Sequence, residues 1–192
     1  FLLESVRALE GSLQRFGVRL VVRLGNPEDL LPDLCRDLAI DRLCFVEAPG
    51  TEERSIERTL KKRASVAVTC LPPETLFQID DPRAFARELP EVFSSFRRTA
   101  ERGLEIAPSR PTPSALVPLT TSADFDYGSV PEVETLGLAA EPADPRAVLG
   151  FEGGETAGLE RMREWMFTGD HLKDYKVTRN GMLGGDYSSK FS

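Results

Sequence analysis

The stretch that decides the fold runs from residue 43 to residue 70 and reads LCFVEAPGTEERSIERTLKKRASVAVTC. It opens on a short apolar run, continues through Pro49-Gly50 into a charged segment from Thr51 to about Arg63, and closes on a second apolar run. Two such runs, separated by a turn and a segment of helical length, are typical of a strand, a crossover helix and a parallel strand. Crossovers of this kind are right-handed and place the helix over one face of the sheet.

Two more helices and a third strand are predicted upstream. One apolar stripe with three- and four-residue steps predicts a helix that ends at Gly17: Leu2, Val6, Leu9, Leu13 and Phe16. Asn26-Pro27 and the acids after it predict a helix over 27–38 with Asn26 as its N-cap. Residues 20–24, 43–46 and 66–70 are expected to be adjacent parallel strands of an α/β, doubly wound (Rossmann-like) sheet. Because such sheets usually have five or more strands, we expect others before residue 1.

The alternation of strands and helices ends at Pro72. Seven of the fourteen prolines lie between Pro108 and Pro145, among serines, threonines and acids, which predicts a long connector. Beyond it, Gly153-Gly154-Glu155 leads into an apolar helical stripe: Leu159, Met162, Trp165 and Met166. The predicted organisation is an α/β domain over 1–106, a connector over 107–150, and the beginning of an all-helical domain over 151–192.

Composition excludes several classes of protein. With 24 Lys and Arg against 31 Asp and Glu, the chain is a poor free-standing nucleic-acid binder. Its apolar runs are far shorter than the roughly 18 residues that cross a bilayer, which argues against membrane insertion.

The three cysteines, Cys35, Cys44 and Cys70, stand apart in apolar runs and are expected to be free, buried thiols of an intracellular, reducing compartment. The single His171 is expected in a solvated loop, which disfavours a zinc site or a catalytic triad.

Both ends of the chain are expected to continue into a longer protein. Residue 1 is Phe and already belongs to the first helical stripe, without a capping residue before it. The last residues, 186–192, carry no terminating signal.

The final eighteen residues, 175–192, read YKVTRNGMLGGDYSSKFS. Three serine hydroxyls and a lysine follow a glycine turn there, and such groups can converge on a phosphate. A serine-rich helix cap without a ligand is the other interpretation of the same residues. The glycines fit neither GxGxxG after a strand nor GxxxxGK[ST], which excludes nucleotide binding by those two motifs.

This run resembles the photolyase/cryptochrome family, and most closely its DASH cryptochromes. Shorter matches are spread along the chain: residues 1–5, 20–28, 75–81, 96–97 and 153–155 with Leu159. The resemblance implies an α/β antenna domain, a connector and a helical domain that holds FAD. It also implies blue-light-driven electron transfer that repairs cyclobutane pyrimidine dimers in UV-damaged DNA. In the DASH branch this DNA is single-stranded or locally unpaired, and the resemblance implies that a domain beyond these residues binds it.

Carried over residue by residue, the resemblance makes Tyr175 an aromatic neighbour of the flavin phosphate and ribityl region. It places the FAD diphosphate on the loop of Ser188, Ser189, Lys190, Phe191 and Ser192. For a methenyltetrahydrofolate antenna, the corresponding residues after the strand are Glu47, Thr51, Glu52 and Glu53. Ala48-Pro49-Gly50 departs from the DASH pattern, and acids at 52 and 53 equally suit the first turn of a helix.

Two other functions share these residues. One is a photolyase-like remnant without a catalytic domain, retained as a structural subunit of a larger assembly. The other is a blue-light receptor without repair activity. Trp165, the single tryptophan, lies on the apolar face of its helix and is expected to pack in a core rather than to carry electrons.

Overall fold

The computed structural model describes residues 1–72, 89–106, 108–139 and 150–179. These residues cluster into two compact units. One unit comprises the described residues between 25 and 113, and the other combines residues 1–24 with those from 114 onward. The boundaries at residues 106 and 150 come from sequence pattern and stay a prediction.

The regular elements follow one another in the order expected of an α/β protein. They are α1 (Leu2–Gln14), α2 (Pro27–Asp37), β1 (Arg42–Val46), α3 (Thr51–Arg63), β2 (Ala67–Leu71), α4 (Phe93–Gly103), a 3-10 turn (Val133–Leu136), α5 (Glu155–Arg163), a π-helical turn (Glu164–Thr168) and α6 (His171–Thr178). None of the helices in the described ranges is long and apolar enough to cross a membrane.

The strands β1 and β2 form a parallel pair joined through α3. Arg42 lies opposite Ala67 and Val46 opposite Leu71 in this register. The predictions for 43–46 and 66–70 are therefore confirmed to within a residue, and so is the α/β class of the fold. The core of this unit lies where α2 and α3 pack together, with Cys35 and Leu60 buried.

The helix α2 begins as predicted, with Asn26 at the N-cap and Pro27 in the first turn. Its cap is made differently from the usual one, because the Asn26 side-chain amide donates to Asp29 Oδ2 at 3.4 Å rather than accepting from a backbone N–H. Asp29 also accepts from Arg63 Nη1 of α3 at 2.6 Å. The start of α2 is thereby tied to the end of α3.

The predicted strand over residues 20–24 is wrong, because this segment lies outside the two-stranded sheet. The Val22 N–H donates to the Tyr127 carbonyl at 2.8 Å, and Arg23 Nη2 donates to the Asp126 carbonyl at 2.6 Å. Arg19 lies over the Tyr127 ring, 3.7 Å from its centroid. The Val22 N–H, which could have paired with a neighbouring strand, is therefore bonded to the connector, and the two arginine side chains also contact it.

The described connector residues 108–132 contain no helix or strand, as predicted. Side chains of other segments hold this stretch instead. Arg7 of α1 forms an ion pair with Glu132 at 2.8 Å and donates to the Pro131 carbonyl. Residues 108–132 thus have defined contacts although they form no helix or strand, and a 3-10 turn follows them at Val133–Leu136.

All three cysteines are free, as predicted, but only Cys35 is buried, since Cys70 is half-buried and Cys44 is exposed. Its position explains this, since burial alternates along β1 and Cys44 points to the exposed side. His171 is half-buried and is the first residue of α6, so the solvated-loop prediction is wrong. No cluster able to hold a metal ion occurs in the described ranges.

Candidate cofactor-binding sites

Tyr175, the predicted aromatic neighbour of the flavin phosphate and ribityl region, lies on the second turn of α6 and is half-buried. Its ring meets the indole of Trp165 edge to face, with centroids 5.6 Å apart and planes inclined by 81°. Trp165 itself is 1% exposed. The prediction that Trp165 packs in a core is therefore confirmed, and its partner there is the predicted flavin neighbour.

The predicted stripe of Leu159, Met162, Trp165 and Met166 does not belong to one regular helix. The α-helical part, α5, ends at Arg163, and Trp165 and Met166 lie in the π-helical turn. The remaining predicted FAD ligands, Ser188, Ser189, Lys190, Phe191 and Ser192, lie outside the described residues. The described part therefore carries Tyr175 alone of the six.

A glycine pair places the beginning of α5 against α1. The Gly153 N–H donates to Glu4 Oε2 at 2.8 Å, and this hydrogen bond lowers the pKa of the Glu4 carboxyl below its ordinary value. A Cβ on Gly154, whose φ is +113°, would lie 2.6 Å from Ala8 Cβ. The glycines of Gly153-Gly154-Glu155 thus permit close approach of the backbone to α1.

A cavity of about 350 Å³ lies beside α5. Its lining is rich in acids: Glu152, Glu160 and Glu164, with Gly150, Phe151, Ala157 and Arg161. Among the described lining residues, Arg161 donates from Nη1 to Glu164 Oε2 at 3.0 Å. The described part of the lining therefore sets three carboxylates beside one guanidinium, a charge balance that disfavours a diphosphate.

The predicted antenna residues lie at the carboxyl end of β1 and the start of α3. Thr51, Glu52 and Glu53 are exposed on the first turn of α3, where the acids complement the positive end of the helix dipole. The N-cap is Gly50, against which the Glu53 carboxylate folds back. Glu47 is half-buried and lies after β1, with its N–H donating to the Leu71 carbonyl at 2.9 Å.

Sequence reasoning missed Glu57, the buried carboxylate of this region. It is 8% exposed, and its Oε1 accepts the Ala48 N–H at 2.8 Å. This bond ties the loop after β1 to the buried face of α3. The spacing of three residues to buried Leu60 is the signal that could have identified Glu57 as facing inward.

Lys61 is the second missed residue, and it brings charge to the same edge of the sheet. Its Nζ lies 4.0 Å from Glu47 Oε1. A hydrogen bond with the Cys70 thiol raises the pKa of Lys61 above its ordinary value, and the Glu47 and Glu57 carboxylates add to this effect. The loop after β1 is therefore lined by two carboxylates and an ammonium.

Comparison with known proteins identifies the family of this chain. The family model described as DNA photolyase matches residues 1–115. The chain belongs to the DNA photolyase family. Among curated relatives, Cryptochrome DASH of Gloeobacter violaceus is 43% identical over 195 residues, covering 100% of this chain and 38% of the relative. The chloroplastic/mitochondrial Cryptochrome DASH of Arabidopsis thaliana is 38% identical over 197 residues, covering 100% of this chain and 34% of the relative.

The solved structures extend this similarity to three dimensions. The cryptochrome of Synechocystis sp. superposes with a TM-score of 0.87 at 36% identity, covering 100% of this chain and 40% of that one. The predicted DASH branch of the photolyase/cryptochrome family is thereby confirmed. The chain spans less than half the length of these relatives.

Proposed function

We propose that the protein to which these residues belong is a DASH-type photolyase that uses FAD and blue light to repair cyclobutane pyrimidine dimers. Photolyases and cryptochromes generally bind FAD, and they act on DNA. The observation that carries the proposal is the similarity to the Cryptochrome DASH relatives, which extends over the whole of this chain.

The residues suit the flavin nucleotide chemically. A diphosphate accepts hydrogen bonds from several neutral donors and gains from one mobile cation. Ser188, Ser189 and Ser192 would supply hydroxyl donors and Lys190 the cation, while Phe191 and Tyr175 would contribute apolar contact. When bound, FAD supplies the light absorption and the electron, and the protein positions and tunes it.

The direct test is the Ser188→Ala/Ser189→Ala double variant of the complete protein. Each lost hydrogen bond to a charged acceptor costs about 1.5–3 kcal/mol, so the loss of both should weaken flavin affinity by at least about a hundredfold. The matched control is Ser109→Ala/Ser114→Ala, which removes two exposed hydroxyls from the connector. Equal flavin retention in the two double variants would remove the serines from the site.

A repair assay separates the three functions that share these residues. Purified wild-type protein is illuminated with dimer-containing oligonucleotides, single-stranded and double-stranded, beside dark controls. Light-dependent repair, stronger on single strands, is expected. Bound FAD without repair would favour a blue-light receptor, and absence of FAD would favour a structural remnant.

Residues 1–192 alone should purify colourless. A cofactor that is enclosed by a whole helical domain gains too little binding energy from one edge of its site to offset the entropy lost on binding. Absorption spectroscopy of this fragment, reconstituted with excess FAD and desalted, provides the measurement. Stoichiometric FAD on the fragment would contradict the expectation.

The folate antenna is proposed at the carboxyl end of β1. Glu47, Thr51, Glu52 and Glu53 offer acceptors for the donor groups of a pterin, with Glu47 nearest the sheet edge. The test is the near-ultraviolet absorption of protein that is reconstituted with methenyltetrahydrofolate, for wild type, Glu47→Gln and Glu52→Gln. Loss of binding in Glu47→Gln alone supports the site, and unchanged binding in both variants refutes it.

A further inference from the structure

The chain leaves regular α-helix just before Trp165. The Gly169 N–H donates to the Glu164 carbonyl at 2.7 Å, across five residues, so the turn is wider than an α-helical one. An extra residue in a turn changes the direction of the side chains that follow, and such turns often occur at functional positions. Here Trp165 is 1% exposed while Phe167, two residues later, is 73% exposed.

A residue in left-handed conformation, Asp170, lies between the π-helical turn and α6. Asp170 has φ +51°, a left-handed conformation that is uncommon for a residue other than glycine. It precedes α6 directly, and α6 carries Tyr175 back against the indole. Both unusual backbone conformations thus lie in the short segment that brings the two rings together.

The Tyr175 side chain is half-buried. It lies on a helix of eight residues whose neighbouring positions 172–174, 176 and 177 are exposed. Within the described ranges, Trp165 is the one aromatic ring that contacts it. Because edge-to-face pairs prefer a defined angle between their planes, the indole restricts the plane of the tyrosine ring as well as its position.

We propose that Trp165 is a positioning residue for flavin binding, acting through Tyr175. This inference rests on the proposed function, in which Tyr175 contacts the flavin nucleotide. The indole, held by the π-helical turn, orients the Tyr175 ring before the cofactor arrives. Pre-organisation of this kind raises affinity because less ordering remains to be done on binding.

The experiment uses the complete protein and two substitutions at one position. Trp165→Leu keeps an apolar side chain without a ring, and Trp165→Phe keeps a ring edge for Tyr175. FAD affinity is measured by fluorescence titration after reconstitution, and folding by circular dichroism. Trp165→Leu should weaken FAD binding by about three- to tenfold, and Trp165→Phe should restore most of it.

The matched control is Phe125→Leu, which breaks a second edge-to-face pair in the same unit. Phe125 and Tyr127 lie 4.9 Å apart with planes at 88°. This variant should lower thermal stability and keep wild-type FAD affinity. If Phe125→Leu weakens FAD binding as much as Trp165→Leu does, the effect is general destabilisation and the proposal is wrong.

A double-mutant cycle distinguishes action through Tyr175 from a merely structural role. In a Tyr175→Leu background, Trp165→Leu should no longer change FAD affinity. An undiminished effect in that background would overturn the proposal. Trp165→Met, whose flexible unbranched side chain adapts to irregular space, replaces the leucine variant if that one does not fold.

The same titration separates this inference from the function on which it rests. A wild-type protein that binds no FAD refutes the proposed function and the inference together. A wild-type protein that binds FAD, with Trp165→Leu binding equally well, refutes the inference alone.

Discussion

Removing the buried carboxylate of Glu57 should destabilise the loop after β1. Glu57 is 8% exposed and accepts the part-buried Ala48 N–H at 2.8 Å. A hydrogen bond with a charged partner contributes about 1.5–3 kcal/mol, and an orphaned buried donor costs about 1–3 kcal/mol. Since Ala48 keeps some access to water, we expect Glu57→Ala to cost about 2–4 kcal/mol in unfolding free energy.

The conservative variant gives the reasoning its sharpest test. Glu57→Gln keeps an oxygen that can accept the Ala48 N–H, but the bond becomes neutral and contributes about 0.5–1.5 kcal/mol. This variant should therefore cost about 1 kcal/mol, well below the alanine variant. Glu53→Ala, exposed on the same helix, is the control and should cost no more than the roughly 0.3–1 kcal/mol that an acid in the first turn contributes.

Two measurements check these expectations. Urea denaturation compares the unfolding free energies of the variants, and hydrogen–deuterium exchange reports on the Ala48 amide directly. Exchange at Ala48 should be fastest in Glu57→Ala, intermediate in Glu57→Gln and unchanged in Glu53→Ala. The reasoning is refuted if glutamine is as damaging as alanine, or if Ala48 exchange is the same in every variant.

Three further outcomes are expected. Gly128 and Gly137 both have positive φ, +71° and +77°, but a Cβ on Gly128 would collide with the Val22 carbonyl whereas a Cβ on Gly137 would meet open space. Gly128→Ala should therefore lower the thermal midpoint more than Gly137→Ala does. Equal shifts would show that backbone strain alone matters. The hydrogen bond from Arg63 lowers the pKa of Asp29, so its contribution to stability is fully present above the ordinary aspartate pKa and is lost as pH falls through the lowered value. Arg63→Ala should remove that part of the acid dependence in pH-dependent thermal unfolding, and an unaltered profile would contradict the assignment. Burial raises the pKa of the Cys35 thiol, so Cys35 should be alkylated more slowly than the exposed Cys44 on β1. Alkylation followed by mass spectrometry measures both rates. Equal rates in folded protein would argue against the burial of Cys35.

Local signals in the sequence determined the individual elements. Apolar runs of strand length predicted β1 and β2, and Asn26-Pro27 with acids after it predicted the start of α2. These signals act between residues close in the chain, so they can be identified without knowledge of the rest of the protein. The family resemblance was also legible, because the sequence of residues 175–192 carries it without reference to structure.

Only the tertiary structure decided which segments pair. Residues 20–24 have the composition of a strand, yet Val22 bonds to the connector, and nothing within the segment specifies its partner. The burial of Glu57 depends on the loop that α3 faces, and the contact of Trp165 with Tyr175 depends on a wide turn and a left-handed residue between them. Periodicity predicted a single helix through Trp165, because a pattern of side chains does not show where the backbone leaves regular helix. Contacts between residues distant in sequence are set by the packing of the whole unit, and so the arrangement of the candidate sites became visible only in three dimensions.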